Sequence, residues 1–210
     1  MILQRLLGQL IKTSITDSLF GTHGELMSSP LRERLIALLK EKSYRRRRVV
    51  LASGRESDFY VDGRQTTLNA EGACLVGRLL FDLLLPEVQG VGGLVIGADP
   101  IATAIAMTSW QRRPTSPVHA FLVRKEAKGH GTGRLIEGRE NLPNGSKVCI
   151  VDDTVTTGGS LLRAANACAA EGLIVVQFLA IVDREEGGAE AIAERGLPFS
   201  ALIRRAELES

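Results

Sequence analysis

The stretch 147–160, KVCIVDDTVTTGGS, constrains the fold more than any other part of the chain. Its apolar run, residues 148–151, is typical of a buried strand and ends at two adjacent carboxylates, Asp152 and Asp153. A short turn of small hydroxyl residues and glycines follows, and a helical pattern over 161–171 comes after the turn. This order of strand, turn and helix indicates an α/β architecture.

The turn in this stretch has the properties of an anion site. Threonines and glycines let several backbone N–H groups approach an anion without obstruction by side chains. The start of the helix adds unpaired donors and a partial positive charge. The two carboxylates cannot hold a phosphate, but they suit neighbouring hydroxyls on a ribose ring or a magnesium shell. The stretch therefore predicts a site for a sugar with a phosphate at one end.

Two other phosphate-binding devices do not fit the stretch. A Walker-type loop needs a lysine before its Ser/Thr, where Gly159 stands, and the dinucleotide fingerprint G-x-G-x-x-G is absent from the turn. The stretch instead resembles the phosphoribosyl-diphosphate signature of type I phosphoribosyltransferases. The alternative is a surface turn between a strand and a helix, with incidental acids.

Composition limits the classes of protein that the chain can belong to. Its 210 residues suit one domain with a sizeable core. A net charge of +2 is too small to argue for nucleic acid, and one Trp, two Tyr and six Phe give no platform for stacking bases. The basic run 45–48 is interpreted as a solvated strand entry or a dimer rim rather than a nucleic-acid contact.

The cysteines indicate the redox compartment of the protein, and the hydropathy indicates whether it crosses a membrane. Cys74, Cys149 and Cys168 are far apart in apolar segments, which predicts buried thiols without a disulfide framework or metal spacing. This usage fits a reducing cytoplasm. No apolar stretch reaches the length of a membrane span, so we expect no membrane as partner. The small net charge and the few aromatic residues give no reason to expect a nucleic acid as partner.

The chain divides into an extension and one domain. Residues 1–29 are interpreted as an N-terminal extension, either disordered and loosely held or the product of an upstream start codon. Residues 30–210 are predicted to form a single domain, with a small hood over about 30–65 and a core over about 66–205. The hood combines a helix, which begins at Pro30, with a hairpin of two strands at 48–53 and 57–62.

The core alternates strands and helices. Strands are predicted at 93–97, 118–123, 148–151 and 173–182, with helices at 99–111 and 160–171 and an earlier helix from Asn69 to about Leu85. Such units imply right-handed crossovers and a mainly parallel sheet flanked by helices. Ligands of these sheets bind at the carboxyl ends of the strands, where Asp99, Arg124, Asp152 and Asp183 fall.

A second informative stretch is the loop 124–138, RKEAKGHGTGRLIEG. Its glycines and basic side chains predict a mobile loop that closes over a polyanion through Arg124, Lys125, Lys128 and His130. The alternative is a solvated surface hairpin. Beside a phosphate turn the first interpretation is favoured, since a diphosphate leaving group needs cationic cover.

With both stretches in hand, residues 30–205 resemble the orotate phosphoribosyltransferase family. The resemblance rests on LASGRESDFYVDGR (51–64), on the loop 124–138 with its K-x-H-G-x-G pattern, on VDDTVTTGGS (151–160) and on IVDREEGG (181–188). It implies transfer of the phosphoribosyl group from 5-phospho-α-D-ribose 1-diphosphate to orotate. The products would be orotidine 5′-phosphate and diphosphate, in pyrimidine (UMP) biosynthesis.

The family's functional residues carry over to matching positions. By resemblance, residues 156–160 would hold the 5′-phosphate, and Asp152 and Asp153 would hold the ribose hydroxyls. Thr156 and Arg184 would bind orotate, with Tyr60 beside the ring, and a guanidinium suits the orotate carboxylate. The implied catalytic residues are Lys128, His130, Asp152 and Asp153. The implied substrate-binding set is Tyr60, Arg124, Lys125, Lys128, His130, Asp152, Asp153, Thr154, Val155, Thr156, Thr157, Gly158, Gly159, Ser160 and Arg184.

The resemblance also implies a homodimer and magnesium. Lys125 would act in its own subunit, whereas Arg124, Lys128 and His130 would reach the partner's site, so that loop 124–138 is shared. Mg²⁺ would be held mainly by the substrate's diphosphate and ribose hydroxyls and by water, without a metal site made of protein ligands.

Two positions depart from the family pattern. Ala52 stands where members commonly have a lysine, and GADPIA (97–102) replaces a loop that often carries another lysine. Two alternatives remain open: a phosphoribosyltransferase for a purine or for uracil, and a non-catalytic regulator that binds phosphoribosyl diphosphate. Arg184 favours orotate, because the other bases carry no carboxylate.

Overall fold

The structure is a computed structural model that describes residues 29–50, 56–126 and 135–210. The predicted extension (except for Ser29), the hairpin tip around Gly54 and the centre of loop 124–138 lie outside these ranges. In the part of the chain that is described, no helix is both long enough and apolar enough to cross a membrane.

The first described unit is a helix followed by a hairpin, as predicted. Helix α1 (Pro30–Lys42) begins with proline in its first turn, and the hydroxyl of Ser29 accepts the backbone N–H of Arg32 at 3.3 Å. Strands β1 (Tyr44–Val50) and β2 (Glu56–Val61) pair antiparallel in a sheet of their own. Strand β1 begins at Tyr44 rather than at the predicted position 48, so the basic run 45–48 lies within the strand and not at its entry.

A second sheet forms the centre of the described molecule. Its strand order is β5-β4-β3-β6-β7-β8; only the short edge strand β5 runs antiparallel to its neighbour. The prediction of a mainly parallel sheet flanked by helices is therefore confirmed. The elements after the hairpin are α2 (Arg64–Thr67), α3 (Ala70–Asp82), β3 (Gly90–Leu94), α4 (Ala98–Arg112), β4 (His119–Val123), β5 (Ile136–Glu137), β6 (Lys147–Val155), α5 (Gly159–Ala170), β7 (Ile174–Asp183), α6 (Gly188–Ala193), β8 (Phe199–Arg204) and α7 (Arg205–Glu209).

The strand order places a switch point between β3 and β6. From β3 the chain moves outward to β4, and it then returns to β6 on the opposite side of β3. Connections leaving these two strands diverge, so a crevice opens outside their carboxyl ends. The loop 95–97 and the two carboxylates of β6 face each other there.

The sheet separates two hydrophobic cores. Alternate residues of β6 face opposite sides, since side chains alternate along a strand. Cys149 and Val151 belong to the core beneath α1, α3 and α4, whereas Val148 and Ile150 belong to the core beneath α5 and α6. All four side chains are fully buried, at 0% exposure. This burial on both faces makes β6 a rigid support for the groups at its end.

Helix α1 is fastened to the last strand of the sheet. Arg32 is buried; its Nε donates to the carbonyl of Leu202 at 2.8 Å, and its Nη2 pairs with Oε1 of Glu207 at 2.5 Å. The helix thereby joins β8 and α7, which are 170 and more residues away along the chain. The boundaries of hood and core remain predictions.

Three further features differ from the sequence-based expectations. Strand β3 covers 90–94 rather than 93–97, because pairing with β4 ends at Leu94 and the apolar residues that follow turn into the loop. Cys74 is exposed rather than buried, since it shares the outer face of α3 with Glu71 and Arg78; Cys149 and Cys168 are buried as predicted. Strands β5 and β8 and the short helices α2, α6 and α7 were not predicted.

Candidate active site

The site begins with the acidic pair at the carboxyl end of β6. Asp152 is buried and Asp153 half-buried, and the backbone N–H of Asp153 donates to Oδ1 of Asp152 at 3.0 Å. The loop after β3 comes close to both side chains. A Cβ atom added at Gly97 would lie 3.0 Å from Oδ1 of each aspartate, so glycine permits this approach.

Burial weakens the acidity of the pair. It raises the pKa of Asp152 well above the ordinary value, and the neighbouring charge of Asp153 raises it further, while Arg163 opposes the rise. Burial also raises the pKa of Asp153, against the effect of its hydrogen bond with Asp152. The pair is therefore suited to a ligand that brings hydroxyl donors or positive charge to it.

The phosphate turn connects β6 to α5. Gly158 has a φ of 77°, in the left-handed region that favours glycine, and its carbonyl accepts the N–H of Leu162 at 3.0 Å as α5 begins. Thr154 stands between the acids and the turn, and its buried Oγ1 has no hydrogen-bond partner in the described structure. A buried hydroxyl of this kind is suited to a polar ligand.

Arg184 lies at the other end of the crevice. Its side chain is only 6% exposed, and its Nη2 lies 2.9 Å from Oε1 of Glu186 and donates to the carbonyl of Phe59 at 3.1 Å. Its backbone N–H donates to the carbonyl of Val155 at 2.9 Å. Arg184 therefore joins the end of β6 through its backbone and β2 through its guanidinium, and it borders the same hollow as the phosphate turn.

Strand β2 and α2 supply the opposite wall. Tyr60, Asp62 and Arg64 border a hollow together with both aspartates of β6. Nε of Arg64 donates to Oδ1 of Asp62 at 2.8 Å, and this bond lowers the pKa of Asp62. The charge of Arg64 also favours the ionised form of Asp153.

The cations of the loop 124–138 are placed differently from one another. Lys125 borders the hollow with the aspartates. Arg124 instead pairs with Glu137 of β5, where Nη2 and Oε1 are 2.5 Å apart. Lys128 and His130 lie outside the described residues, so their placement remains a prediction.

The two hollows form one crevice along the switch point. Four residues border both of them: Asp152, Thr154, Ser160 and Arg163. The crevice brings together most of the predicted site residues: Tyr60, Lys125, Asp152, Asp153, Thr154, Val155, Thr156, Thr157, Gly158, Gly159, Ser160 and Arg184. Asp99, predicted at the same rim, lies in the first turn of α4 and borders neither hollow.

Three charged residues of the crevice were missed by sequence reasoning. Asp62 and Arg64 stand in the segment that carries the family resemblance, but no motif assigned them a role. Arg163 is an exposed residue of α5, one helical turn beyond Ser160, which brings it back to the crevice. A helical projection from the phosphate turn would have pointed to Arg163.

The side chains of the crevice suit a metal ion only when that ion is already bound to the substrate. Among residues 29–50, 56–126 and 135–210, no group of three or more His, Cys, Asp or Glu side chains is placed to hold a metal ion. The pair at 152 and 153 alone offers too few ligands for an all-protein magnesium site. It can supplement a magnesium ion that is already bound to a polyanionic substrate.

The switch-point crevice, the acidic pair and the phosphate turn define a type I phosphoribosyltransferase. The family model for the phosphoribosyl transferase domain matches residues 92–197. An orotate phosphoribosyltransferase of Sorangium cellulosum is 50% identical over 176 residues, which are 83% of this chain and 91% of that protein. The chain belongs to the orotate phosphoribosyltransferase family.

Solved structures of two complexes agree in fold. Mycobacterium tuberculosis orotate phosphoribosyltransferase with Fe(III) dicitrate superposes with a TM-score of 0.73 at 43% identity, covering 86% of this chain and all (100%) of that one. The same enzyme with 5-phospho-α-D-ribosyl 1-diphosphate has a TM-score of 0.70 at 39% identity, with coverage of 86% and 100%. The type I fold prediction and the family resemblance are thus confirmed.

Proposed function

We propose that this chain transfers the phosphoribosyl group of 5-phospho-α-D-ribose 1-diphosphate to orotate, releasing diphosphate and forming orotidine 5′-phosphate. The observation that carries the proposal is the crevice itself. It holds a phosphate turn at 156–160 and the acidic pair of β6, and the guanidinium of Arg184 borders the same hollow as the turn. These groups match the phosphate, the ribose and the carboxylated base of the two substrates.

The ribose phosphate is proposed to bind along β6 and the turn. Backbone N–H groups and hydroxyls of 156–160 would hold the 5′-phosphate, where the start of α5 adds a partial positive charge. Asp152 and Asp153 would accept the ribose hydroxyls. Their raised pKa values support this role, because hydroxyl donors relieve the desolvation of buried carboxylates.

The base is proposed to bind between β7 and β2. Arg184 would pair with the orotate carboxylate, Thr156 would contact the base edge, and Tyr60 would lie beside the ring. The near-complete burial of the Arg184 side chain supports strong pairing, since a charge pair removed from water is screened little. Neither uracil nor a purine offers a carboxylate partner.

The reaction needs no covalent nucleophile. The C1′–diphosphate bond breaks and its electron pair leaves with the diphosphate. The base nitrogen bonds to C1′ with the electron pair of its N–H bond, and the released proton passes to solvent or to the diphosphate. The acidic pair would stabilise the positive charge that develops on the ribose, while Lys125, Lys128 and His130 would stabilise the leaving diphosphate. Mg²⁺ would supply charge neutralisation on the diphosphate when bound with it, held mainly by substrate oxygens.

A homodimer is proposed as the functional unit, with loop 124–138 shared between subunits. An exposed strip along α4 supports a second copy as the occupant of that surface. This α4 strip consists of Ile96, Thr103, Met107 and Trp110, and its three large apolar side chains are each 62% exposed. Ile96 also borders the crevice, so a copy seated on the strip would reach the rim of the site.

The cytoplasm is the proposed compartment. The three cysteines are free, and burial raises the pKa of Cys149 and raises that of Cys168 to about 12, which leaves both as unreactive thiols. Free thiols of this kind suit a reducing environment.

A substrate comparison tests the proposed reaction. Purified protein with Mg²⁺ and phosphoribosyl diphosphate is assayed for diphosphate release with orotate, uracil, adenine and hypoxanthine. We expect turnover with orotate and little with the other three bases. Faster turnover with another base would reassign the substrate, and binding of phosphoribosyl diphosphate without turnover of any base would indicate a regulator.

A further inference from the structure

A charge cluster that is largely shielded from solvent lies behind the base end of the crevice. Oε1 of Glu186 is 2.9 Å from Nη2 of Arg184 and 3.8 Å from Nη1 of Arg205. Both guanidinium groups also contact the ring of Phe59, with their central carbons 5.3 Å and 4.7 Å from its centroid. Glu186, Arg184, Arg205 and Phe59 are called the Glu186 cluster below.

The Arg184–Glu186 pair is shielded from water. The two side chains are 6% and 14% exposed, and the ring of Phe59 beside them is fully buried. Surface ion pairs contribute little to stability or geometry, whereas removing one partner of a buried pair leaves an uncompensated charge. The carboxylate of Glu186 therefore compensates the buried positive charge of Arg184 and holds its guanidinium in place.

The backbone is built to hold the pair together. Glu185, between the two partners, has a φ of 56°, which is uncommon for a residue with a Cβ. Its N–H donates to Oδ1 of Asp183 at 2.8 Å, and the N–H of Arg184 donates to the carbonyl of Val155. Conformations of this kind persist where the surrounding contacts determine them, often at functional sites.

The cluster restrains the orientation of the guanidinium. Nη2 of Arg184 is held from two directions, by Glu186 and by the carbonyl of Phe59. An arginine side chain loses much rotamer freedom when it binds a ligand, and an arginine already held in place has less to lose. Glu186 also balances part of the positive charge that two neighbouring arginines bring together.

We infer that Glu186 is a positioning residue for base recognition, which holds Arg184 in the orientation that binds the carboxylate of the substrate base. The inference rests on the proposed function and names a further residue of the same site. Glu186 itself acts through Arg184 and is assigned no contact with the substrate. Its loss should therefore weaken the binding of orotate and leave the binding of phosphoribosyl diphosphate unchanged.

Two substitutions at Glu186 test the inference by steady-state kinetics with each substrate varied. Glu186→Ala should raise the KM for orotate about tenfold, which equals about 1.4 kcal/mol, while the KM for phosphoribosyl diphosphate stays within about twofold. Glu186→Gln should raise the orotate KM less, because its amide oxygen still accepts from Arg184. A general structural role would move both KM values together, so the ratio of the two is the informative readout.

Glu209 offers the matched control. Its Oε1 pairs with Nη2 of Arg205 at 3.0 Å. Glu209→Gln therefore removes a carboxylate partner of Arg205, the second arginine of the cluster, and leaves the partners of Arg184 in place. We expect wild-type kinetics from this variant. If Glu186→Ala does not fold, Glu186→Gln carries the comparison by itself.

Separate outcomes overturn the inference and the proposed function. An unchanged orotate KM in the Glu186 variants, or an equal rise in both KM values, overturns the inference alone. A wild-type enzyme that does not use orotate overturns the proposed function, and the inference with it.

Discussion

Oδ1 of Asp152 accepts the backbone N–H of Asp153, so the two carboxylates at the end of β6 are held side by side at the mouth of the crevice. Burial raises the pKa of both groups, and the charge of each is unfavourable in the free protein. The charged pair therefore destabilises the free protein in favour of function. We expect the hydroxyls of the bound ligand and its associated cation to offset this destabilisation.

Asp152→Asn should therefore stabilise the free protein and impair the reaction. The amide keeps an oxygen that can accept from Asp153, and it removes one of two neighbouring buried charges. We expect about 1 kcal/mol of added stability at neutral pH, or a rise in Tm of about 2–4 °C, together with a loss of activity of about tenfold or more. Thermal melts and initial rates measure the two effects.

The pH dependence of the stability difference between Asp152→Asn and the wild type tests whether the removed charge is its cause. The folded-state pKa of Asp152 lies above its unfolded value, so wild-type stability declines as the pH rises through the folded pKa. Asparagine does not titrate. The stability advantage of the variant should consequently be small at acidic pH and grow as the pH rises, and a constant advantage would point to altered packing instead.

Arg184→Ala should weaken the use of orotate by at least about 2 kcal/mol in kcat/KM, as expected for the loss of one partner of a buried charge pair. Because Arg184 also donates to the carbonyl of Phe59, a melting curve should accompany the kinetics. Arg195→Ala is the arginine control, since the Arg195 side chain donates to the exposed Asn166 at 2.9 Å and lies outside the crevice. Unchanged orotate kinetics in the Arg184 variant would remove this residue from the base site.

Arg163 is expected to assist the binding of phosphoribosyl diphosphate. It borders both hollows and acts electrostatically on Asp152, but its side chain is exposed to solvent. Arg163→Ala should raise the KM for phosphoribosyl diphosphate about threefold to tenfold at low salt, and the effect should shrink at high ionic strength. A salt-independent effect would indicate displacement of α5 rather than loss of charge, and Arg195→Ala again serves as the control.

Lys128→Ala tests the leaving-group role that the family resemblance implies. Turnover should fall about tenfold to a thousandfold while the fold survives, within the range typical of an electrostatic catalytic group. Lys147→Ala is a suitable control, because Lys147 pairs at the surface with Glu87 at 3.9 Å, away from the crevice. Wild-type turnover in the Lys128 variant would exclude it from the chemistry.

The sequence predicts those features of the molecule that are determined by residues close together in the chain. The run at 148–151, the acids after it and the glycine turn are adjacent in the chain, so their pattern alone indicates a strand, a carboxylate pair and an anion site. The same holds for the periodic apolar face of α3. A parallel sheet follows from strands that alternate with helices.

Features that depend on long-range contacts could not be predicted in this way. The hydrogen bond from Arg184 to Phe59 joins residues 125 positions apart, and no local pattern at either residue signals it. The limits of β3 depend on pairing with β4, because the apolar run continues past the last paired residue. Arg163 resembles any exposed helical arginine until the crevice is assembled.

Trp110→Lys should convert the proposed dimer into monomers. Trp110 and Met107 lie three positions apart on one face of α4, and both are largely exposed in the single chain. A charge placed in the middle of an apolar interface opposes association by about 2 kcal/mol or more. Sedimentation equilibrium of the variant and the wild type measures the change.

The chain has a single Trp, so intrinsic fluorescence reports on this surface directly. Dilution of the wild type through its dissociation constant should shift the emission to longer wavelength as Trp110 becomes solvated, and activity should fall in parallel if loop 124–138 serves the partner's site. Ile174→Lys is the control, because Ile174 is also a half-exposed apolar residue (50%) but lies at the start of β7, outside the α4 strip. A wild type that remains fully active as a monomer would refute the shared site.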